Sequence, residues 1–219
     1  MKFLLTSAGL RNDAIAHALE VLLGKPLTET NVLLVTTATN TSHDDKRWVI
    51  NDLKRFEYYN FKSIDLIDIA GLPESLYRPH FEYADVICFE GGDELYLARI
   101  MKEQNFKSFV TPLLETKVYL GISAGSMGFG EFLSPEVTKI LFNEDFGSEP
   151  STPLEFLNFA YIPHLNSPHF PLRKDTVESV KNTFICPVYA TDAETALKVV
   201  DGEVTKVGNG VFLTYESNT

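Results

Sequence analysis

The fold is decided by the stretch VYLGISAGS at residues 118–126. Its apolar beginning predicts a buried strand, and the small residues that follow predict a sharp turn into a helix. Residues 121–125 match the G-x-S-x-G pattern of a nucleophile elbow, which presents a serine at a strained strand-to-helix turn. The helix N-terminus there offers free N–H groups to a developing oxyanion. We therefore interpret Ser123 as a nucleophile; the alternative is a tight turn in which Ser123 only caps a helix.

Strand and helix patterns alternate along the rest of the chain. Apolar or alternating runs predict strands at residues 3–6, 31–37, 64–69, 85–89, 118–122, 159–163, 188–190, 196–200, 205–207 and 211–214. Apolar residues at helical spacing predict helices at residues 13–23, from 42 onward, 95–102, 106–116 and 174–183. Asp201-Gly202 predicts a two-residue hairpin turn. This order indicates an α/β fold, a three-layer sandwich with a mainly parallel sheet, formed by one domain over residues 1–219.

Composition and charge narrow the function classes. Hydrophobic residues make up 44% of the chain and charged residues 22%, as in ordinary globular proteins. The formal net charge of -11 argues against nucleic acid and anionic membranes as partners, because both need clustered cations. Neither a signal peptide nor a membrane span is predicted, so we expect a cytoplasmic protein. Cys88 and Cys186 are predicted to be buried free thiols, and no cysteine spacing indicates a metal.

A second turn, Glu90-Gly91-Gly92-Asp93, also lies between a predicted strand and a predicted helix. Glycines allow backbone N–H groups to approach a substrate closely. If the strand at 85–89 lies beside the strand at 118–122, this loop lies beside Ser123. The N–H groups of Gly91 and Gly92, with that of Ala124, then form an oxyanion hole. The alternative is an ordinary turn.

A serine nucleophile needs a base, and histidine is the usual one. The candidates are His17, His43, His80, His164 and His169; the first two belong to predicted helix regions and His80 to a predicted loop. Residues 162–170, which hold the last two, end a predicted strand, where active-site loops of open α/β sheets lie. Spacing alone does not choose the acid that would orient the base among Glu144, Asp145, Glu131, Glu136 and Asp192.

At four places the chain resembles the dipeptidase E (aspartyl dipeptidase) family of serine peptidases, which also includes cyanophycinase. The matching pieces, in family order, are residues 121–126, Gly91-Gly92, Pro163-His164 and the stretch TDAETAL at 191–197. The resemblance implies a fold like that of class I glutamine amidotransferases, which is flavodoxin-like, with a serine in place of their cysteine nucleophile.

The resemblance also implies roles for individual residues. Ser123 corresponds to the nucleophile and His164 to the base, because the family's histidine follows a proline at a strand end. The acid of the triad falls in the segment between them, where Glu144 is our first choice and Asp145 our second. The implied reaction is hydrolysis of a peptide bond next to an N-terminal aspartate, without metal or other cofactor. We expect a small peptide as substrate and a monomer or homodimer.

The segments that set specificity depart from the family. Aspartyl dipeptidases carry Gly-Glu-Thr-Arg after the histidine, whereas this chain has Phe-Pro-Leu-Arg at 170–173, so only Arg173 remains as a clamp for a carboxylate. His169 is expected to contact the substrate. Asp93 stands where the family usually has asparagine, and a carboxylate beside an oxyanion hole opposes the developing charge. The motifs therefore leave activity on Asp-Xaa dipeptides open.

Three other functions remain as alternatives. An α/β-hydrolase esterase spaces its triad widely, whereas His164 follows Ser123 by only 41 residues. A relative without turnover would bind a small acidic peptide or another ligand. Amidotransferase chemistry would require a cysteine at the elbow, and Cys88 lies elsewhere.

Overall fold

The computed structural model describes residues 1–41, 43–131, 133–144 and 154–217. Within this part the strands are β1 (Lys2–Thr6), β2 (Asn31–Val35), β3 (Ser63–Ile67), β4 (Val86–Phe89), β5 (Val118–Ile122), β6 (Ala160–Ile162), β7 (Val188–Thr191), β8 (Thr195–Val200), β9 (Glu203–Gly208) and β10 (Phe212–Tyr215). The α-helices are α1 (Asp13–Leu23), α2 (Arg47–Tyr58), α3 (Glu74–Tyr83), α4 (Glu94–Glu103), α5 (Phe106–Val110), α6 (Ala124–Met127), α7 (Pro135–Phe142) and α8 (Lys174–Val180).

The main sheet has seven strands in the order β3-β2-β4-β5-β1-β8-β9. The first five are parallel, and β8 and β9 continue the sheet as an antiparallel hairpin. The hairpin turns at Asp201 and Gly202, both with positive φ, as the sequence predicts. A second sheet, in the order β10-β7-β6, contains the strands predicted at 159–163, 188–190 and 211–214.

Helices cover both faces of the main sheet, which confirms the predicted mainly parallel α/β fold. One face packs on α1 and α2 through buried side chains such as Ile15, Leu19 and Phe56. The opposite face packs on helices that include α3 and α5 through an aromatic cluster that includes Phe81 and Tyr119. No helix among the described residues combines the length and apolarity that crossing a bilayer requires.

Several boundaries differ from the sequence predictions for local reasons. The strand expected at 31–37 ends at Val35, and residues 37–41 form a 3-10 helix. The helix expected from Ser42, a residue outside the described part, begins at Arg47. The helix expected over 106–116 ends at Val110, and a 3-10 turn follows Pro112, whose ring and missing N–H interrupt a helix.

Two helices were not predicted at all, namely α3 and α7. The prediction of His80 in a loop is therefore wrong: it lies in α3, which continues through Pro79, and its Nδ1 lies 2.6 Å from Asp65 Oδ2. A proline and a polar composition hide the helical period of α3 in the sequence.

The parallel strands bring separate segments together at one edge of the sheet. Strand β5 lies between β4 and β1, so all three end side by side. Their carboxyl ends lead directly into Glu90, Ser123 and Ser7. In open α/β sheets this edge is where ligands bind.

Candidate active site

Ser123 stands at a strained turn between β5 and α6. Its φ of 52° and ψ of -115° lie outside the regions that non-glycine residues favour. A Cβ at Gly125 would lie 2.1 Å from the Phe89 carbonyl oxygen, so this position accepts only glycine. The strand-turn-helix context that the G-x-S-x-G pattern requires is therefore present.

Strand β1 holds the elbow from the side. The Ser123 N–H donates to the Thr6 carbonyl oxygen at 2.9 Å. Ser126 Oγ donates to the same carbonyl at 2.8 Å and accepts the Thr6 N–H at 2.9 Å, and Thr6 Oγ1 donates to the Gly121 carbonyl at 2.7 Å. These buried bonds fix the backbone on both sides of the serine. The role of Thr6 was not predicted from the sequence, because it depends on which strand lies beside β5.

His164 lies next to Ser123, although the two come from different sheets. Ser123 Oγ is 2.6 Å from His164 Nε2. The imidazole stacks on Phe170, with ring centroids 4.8 Å apart. Burial, followed by the charge of His169, lowers the pKa of His164 to about 4. The imidazole is therefore neutral at pH 7, and a neutral Nε2 can accept the serine proton.

A buried polar network positions the loop that carries His164. The His164 N–H donates to Ser7 Oγ at 3.1 Å, and Ser7 Oγ in turn donates to the Thr191 carbonyl at 2.9 Å. Tyr161 Oη lies 2.6 Å from Thr191 Oγ1, and the Leu165 N–H donates to the Thr191 carbonyl at 3.0 Å. The network joins the end of β1 to both strands that flank the base. The only hint of it in the sequence is that Thr191 begins the TDAETAL stretch.

The glycine loop lies against the nucleophile, because β4 and β5 are neighbours, as the sequence analysis required. A Cβ at Gly91 would be 3.1 Å from Ser123 Cβ. The Gly91 N–H donates to Glu90 Oε1 at 2.8 Å, so it is not free for an oxyanion. Among the described residues, the N–H groups of Gly92 and Ala124 donate to no protein acceptor. Of the three predicted donors, these two remain available.

A family model described as peptidase family S51 matches residues 3–207. The chain belongs to peptidase family S51. The resemblance to serine peptidases of the dipeptidase E type is thus confirmed, and the chain is a serine-type peptidase by family. This membership decides against the α/β-hydrolase alternative.

Two solved structures share the fold of this S51 peptidase. The "Putative Peptidase E Protein" from Listeria monocytogenes EGD-e is 17% identical, with a TM-score of 0.73; the match covers 95% of this chain and 98% of that one. A peptidase from an acI-B1 Actinobacterium is 18% identical, with a TM-score of 0.63, over 100% of this chain and 95% of that one. Comparison with curated protein sequences gave no match.

In the S51 peptidase no carboxylate among the described residues hydrogen bonds to the His164 imidazole. Glu144, the preferred acid, follows α7 and makes no such bond; burial, followed by the charges of Asp93 and Asp44, raises its pKa to about 7. Asp145, the second choice, lies outside the described residues.

The other carboxyl candidates are placed elsewhere in the fold. Glu131 donates its N–H to the Phe159 carbonyl next to β6, and Glu136 is exposed in the first turn of α7. Asp192 accepts the N–H groups of Glu194 and Val211, which shapes the turn between β7 and β8.

The three residues expected to contact substrate have different surroundings. Asp93 caps α4, with its Oδ1 accepting the Tyr96 N–H at 2.9 Å, and burial raises its pKa. His169 is exposed and its charge reaches His164. One guanidinium nitrogen of Arg173 donates to three carbonyls of its own loop, those of residues 167, 170 and 172. Arg173 thus stabilises the loop that carries Phe170.

Proposed function

We propose that the S51 peptidase hydrolyses short peptides, with Ser123 as nucleophile and His164 as general base. The observation that carries the proposal is the 2.6 Å contact between Ser123 Oγ and His164 Nε2 at a strained elbow. Such a hydroxyl, next to a neutral imidazole, is the arrangement that activates serine in acyl transfer. The free N–H groups of Gly92 and Ala124 supply the hydrogen-bond donors for the oxyanion that this attack produces.

The reaction proceeds in two halves. Ser123 Oγ attacks the scissile carbonyl carbon while His164 Nε2 takes the hydroxyl proton, and the carbonyl oxygen becomes an oxyanion held by Gly92 and Ala124. The tetrahedral intermediate collapses, and the imidazolium gives its proton to the leaving amine. Water then attacks the acyl-enzyme with His164 again as base, which releases the acid and restores the serine hydroxyl.

The carboxyl groups near the site affect which substrates are favoured. The carboxyl groups of Asp93 and Asp44 raise the pKa of Glu144, so both lie within electrostatic reach of Glu144. Their combined field favours the ammonium group of a free peptide N-terminus and disfavours an acidic side chain beside it. We propose short peptides with a free N-terminus as substrates, with neutral N-terminal residues preferred over aspartate.

The direct test is the Ser123→Ala variant, assayed against a panel of dipeptides that differ in the N-terminal residue. We expect turnover to fall by about 10⁴- to 10⁶-fold. Ser179→Ala is the matched control, because Ser179 is exposed on α8, where its hydroxyl donates only to the Thr176 carbonyl. Undiminished turnover by Ser123→Ala would remove Ser123 from the mechanism. Labelling of wild type, but not of Ser123→Ala, by a fluorophosphonate is expected in parallel.

A further inference from the structure

Glu90, between β4 and the glycine loop, carries a carboxyl group that the mechanism above does not use. The residue has no exposed surface. Its Oε1 accepts the Gly91 N–H at 2.8 Å, whereas its Oε2 has no hydrogen-bond partner in the described part of the chain. A charged carboxylate so placed would be strongly destabilising, because a single hydrogen bond from Gly91 compensates only part of its desolvation.

The surroundings of Glu90 keep it neutral. Burial raises the pKa of Glu90 well above its usual value, and the charge of Asp52 raises it further. Asp52, on α2, is itself 8% exposed and its pKa is raised to about 7, mainly by burial. Two buried carboxyl groups within electrostatic reach disfavour ionisation of both. The neutral acid is therefore the favoured form of the buried Glu90, and its carbonyl oxygen accepts the Gly91 N–H.

The bond from Gly91 holds one end of the loop that faces the nucleophile. At the other end, the Asp93 N–H donates to the Ala38 carbonyl at 3.0 Å. Gly92, between them, has a φ of 130°, and a Cβ there would lie 2.1 Å from the same carbonyl oxygen. The N–H groups of both neighbours of Gly92 donate to buried acceptors. These two bonds hold the peptide planes before and after the Gly91–Gly92 peptide, and so they restrict the direction of the Gly92 N–H.

We propose that Glu90 is a positioning residue: by accepting the Gly91 N–H, it fixes the glycine loop so that the Gly92 N–H is left for the oxyanion beside Ser123. The inference rests on the proposed function, since it needs an oxyanion at Ser123. Glu90 does not touch the substrate and acts only through the backbone of residues 91–92. What the loop needs from position 90 is an uncharged side chain with an acceptor oxygen.

Three variants test this requirement, with kcat and KM measured on the best dipeptide substrate. Glu90→Leu removes the acceptor, and kcat should fall by about 10- to 100-fold with little change in KM, because a misplaced oxyanion donor weakens only the transition state. Glu90→Gln keeps a neutral acceptor and should retain kcat near the wild-type value. Asp52→Asn is the matched control, since it neutralises the neighbouring carboxyl group without touching the loop, and it should also keep kcat.

The outcomes separate the inference from the proposed function. Equal loss in Glu90→Gln and Glu90→Leu, or unchanged kcat in Glu90→Leu, would overturn the inference while Ser123→Ala remains inactive. If Ser123→Ala keeps full turnover, the proposed function itself fails.

A second readout needs no substitution at Glu90. In ¹⁵N-labelled protein, phosphonylation of Ser123 should move the amide proton resonances of Gly92 and Ala124 downfield, as hydrogen bonds to the phosphoryl oxygen form. The Gly91 resonance should stay in place, because its proton remains bonded to Glu90. A downfield shift at Gly91 without one at Gly92 would contradict the inference, whether or not Glu90→Leu folds.

Discussion

The acid limb of the pH profile, where kcat/KM falls to half of its plateau as the pH decreases, should lie near pH 4. His164 must be neutral to accept the Ser123 proton, and its pKa is lowered to about 4 by burial. At pH 5.5 an imidazole with the ordinary value of about 6.5 would be only about 10% neutral, whereas one with a pKa of about 4 is about 97% neutral. The structure therefore predicts that kcat/KM at pH 5.5 stays close to its plateau, about tenfold above the value for an unperturbed histidine.

The perturbation that tests the cause is Phe170→Ala. Phe170 stacks on the imidazole at 4.8 Å, so its removal admits water and reduces the desolvation that lowers the pKa. The acid limb should then move upward toward pH 6.5, and kcat/KM at pH 5.5 should fall by up to about tenfold relative to pH 8. Phe212→Ala is the matched control, because Phe212 is a partly buried ring that stacks on Tyr189 instead.

The assay measures kcat/KM between pH 4 and pH 9 at constant ionic strength, since this ratio reports the free enzyme. Thermal unfolding at each pH separates titration from loss of fold. His169→Gln belongs in the series, because the charge of His169 is the second cause of the lowered pKa. A limb near pH 4 that Phe170→Ala leaves in place would refute burial as the cause.

Three further predictions concern single carboxyl groups. Asp93→Asn keeps the cap on α4 but removes a negative charge beside the glycine loop, so kcat/KM for Asp-Xaa relative to Ala-Xaa dipeptides should rise by about five- to tenfold; an unchanged ratio would place Asp93 away from the substrate. Burial raises the pKa of Glu94 to about 7, so the contribution of protonated Glu94 to stability is complete below about pH 4.5 and is lost as the pH rises to about 7. The melting temperature of Glu94→Gln should therefore fall less than that of the wild type over this range. An equal fall in both proteins would disprove the raised pKa of Glu94. Glu144→Gln should change kcat by less than about threefold, because Glu144 does not hydrogen bond to His164, and a loss of about 10³-fold or more would restore it as the acid.

The sequence predicted those features that depend on local pattern. The elbow at Ser123 and the hairpin at Asp201-Gly202 are encoded within a few neighbouring residues, by glycines at positions where a Cβ does not fit or φ is positive. The neighbouring positions of β4 and β5 followed from the general order of parallel α/β sheets. Local glycine patterns and the usual strand order were enough to predict that the glycine loop lies beside the nucleophile.

The remaining features depend on contacts between distant segments. Ser7, Tyr161 and Thr191 form one network although more than 150 positions separate the first from the other two. No periodicity reports such a contact, because periodicity describes only the face of a single element. The engagement of the Gly91 N–H by Glu90 was missed for a different reason: a glycine-rich loop predicts that amides are exposed, but not which amide a buried acceptor takes.

The lowered pKa of His164 also determines what the third catalytic group has to do. A desolvated imidazole is neutral without help, but the imidazolium that forms as Ser123 attacks is disfavoured by the same desolvation. In serine triads a buried carboxylate at Nδ1 meets this demand. Such a carboxylate would also raise the resting pKa of the histidine. A limb near pH 4 therefore means that the free enzyme has no carboxylate at Nδ1. A limb near pH 6.5 that Asp145→Asn returns to pH 4 would identify Asp145 as the acid.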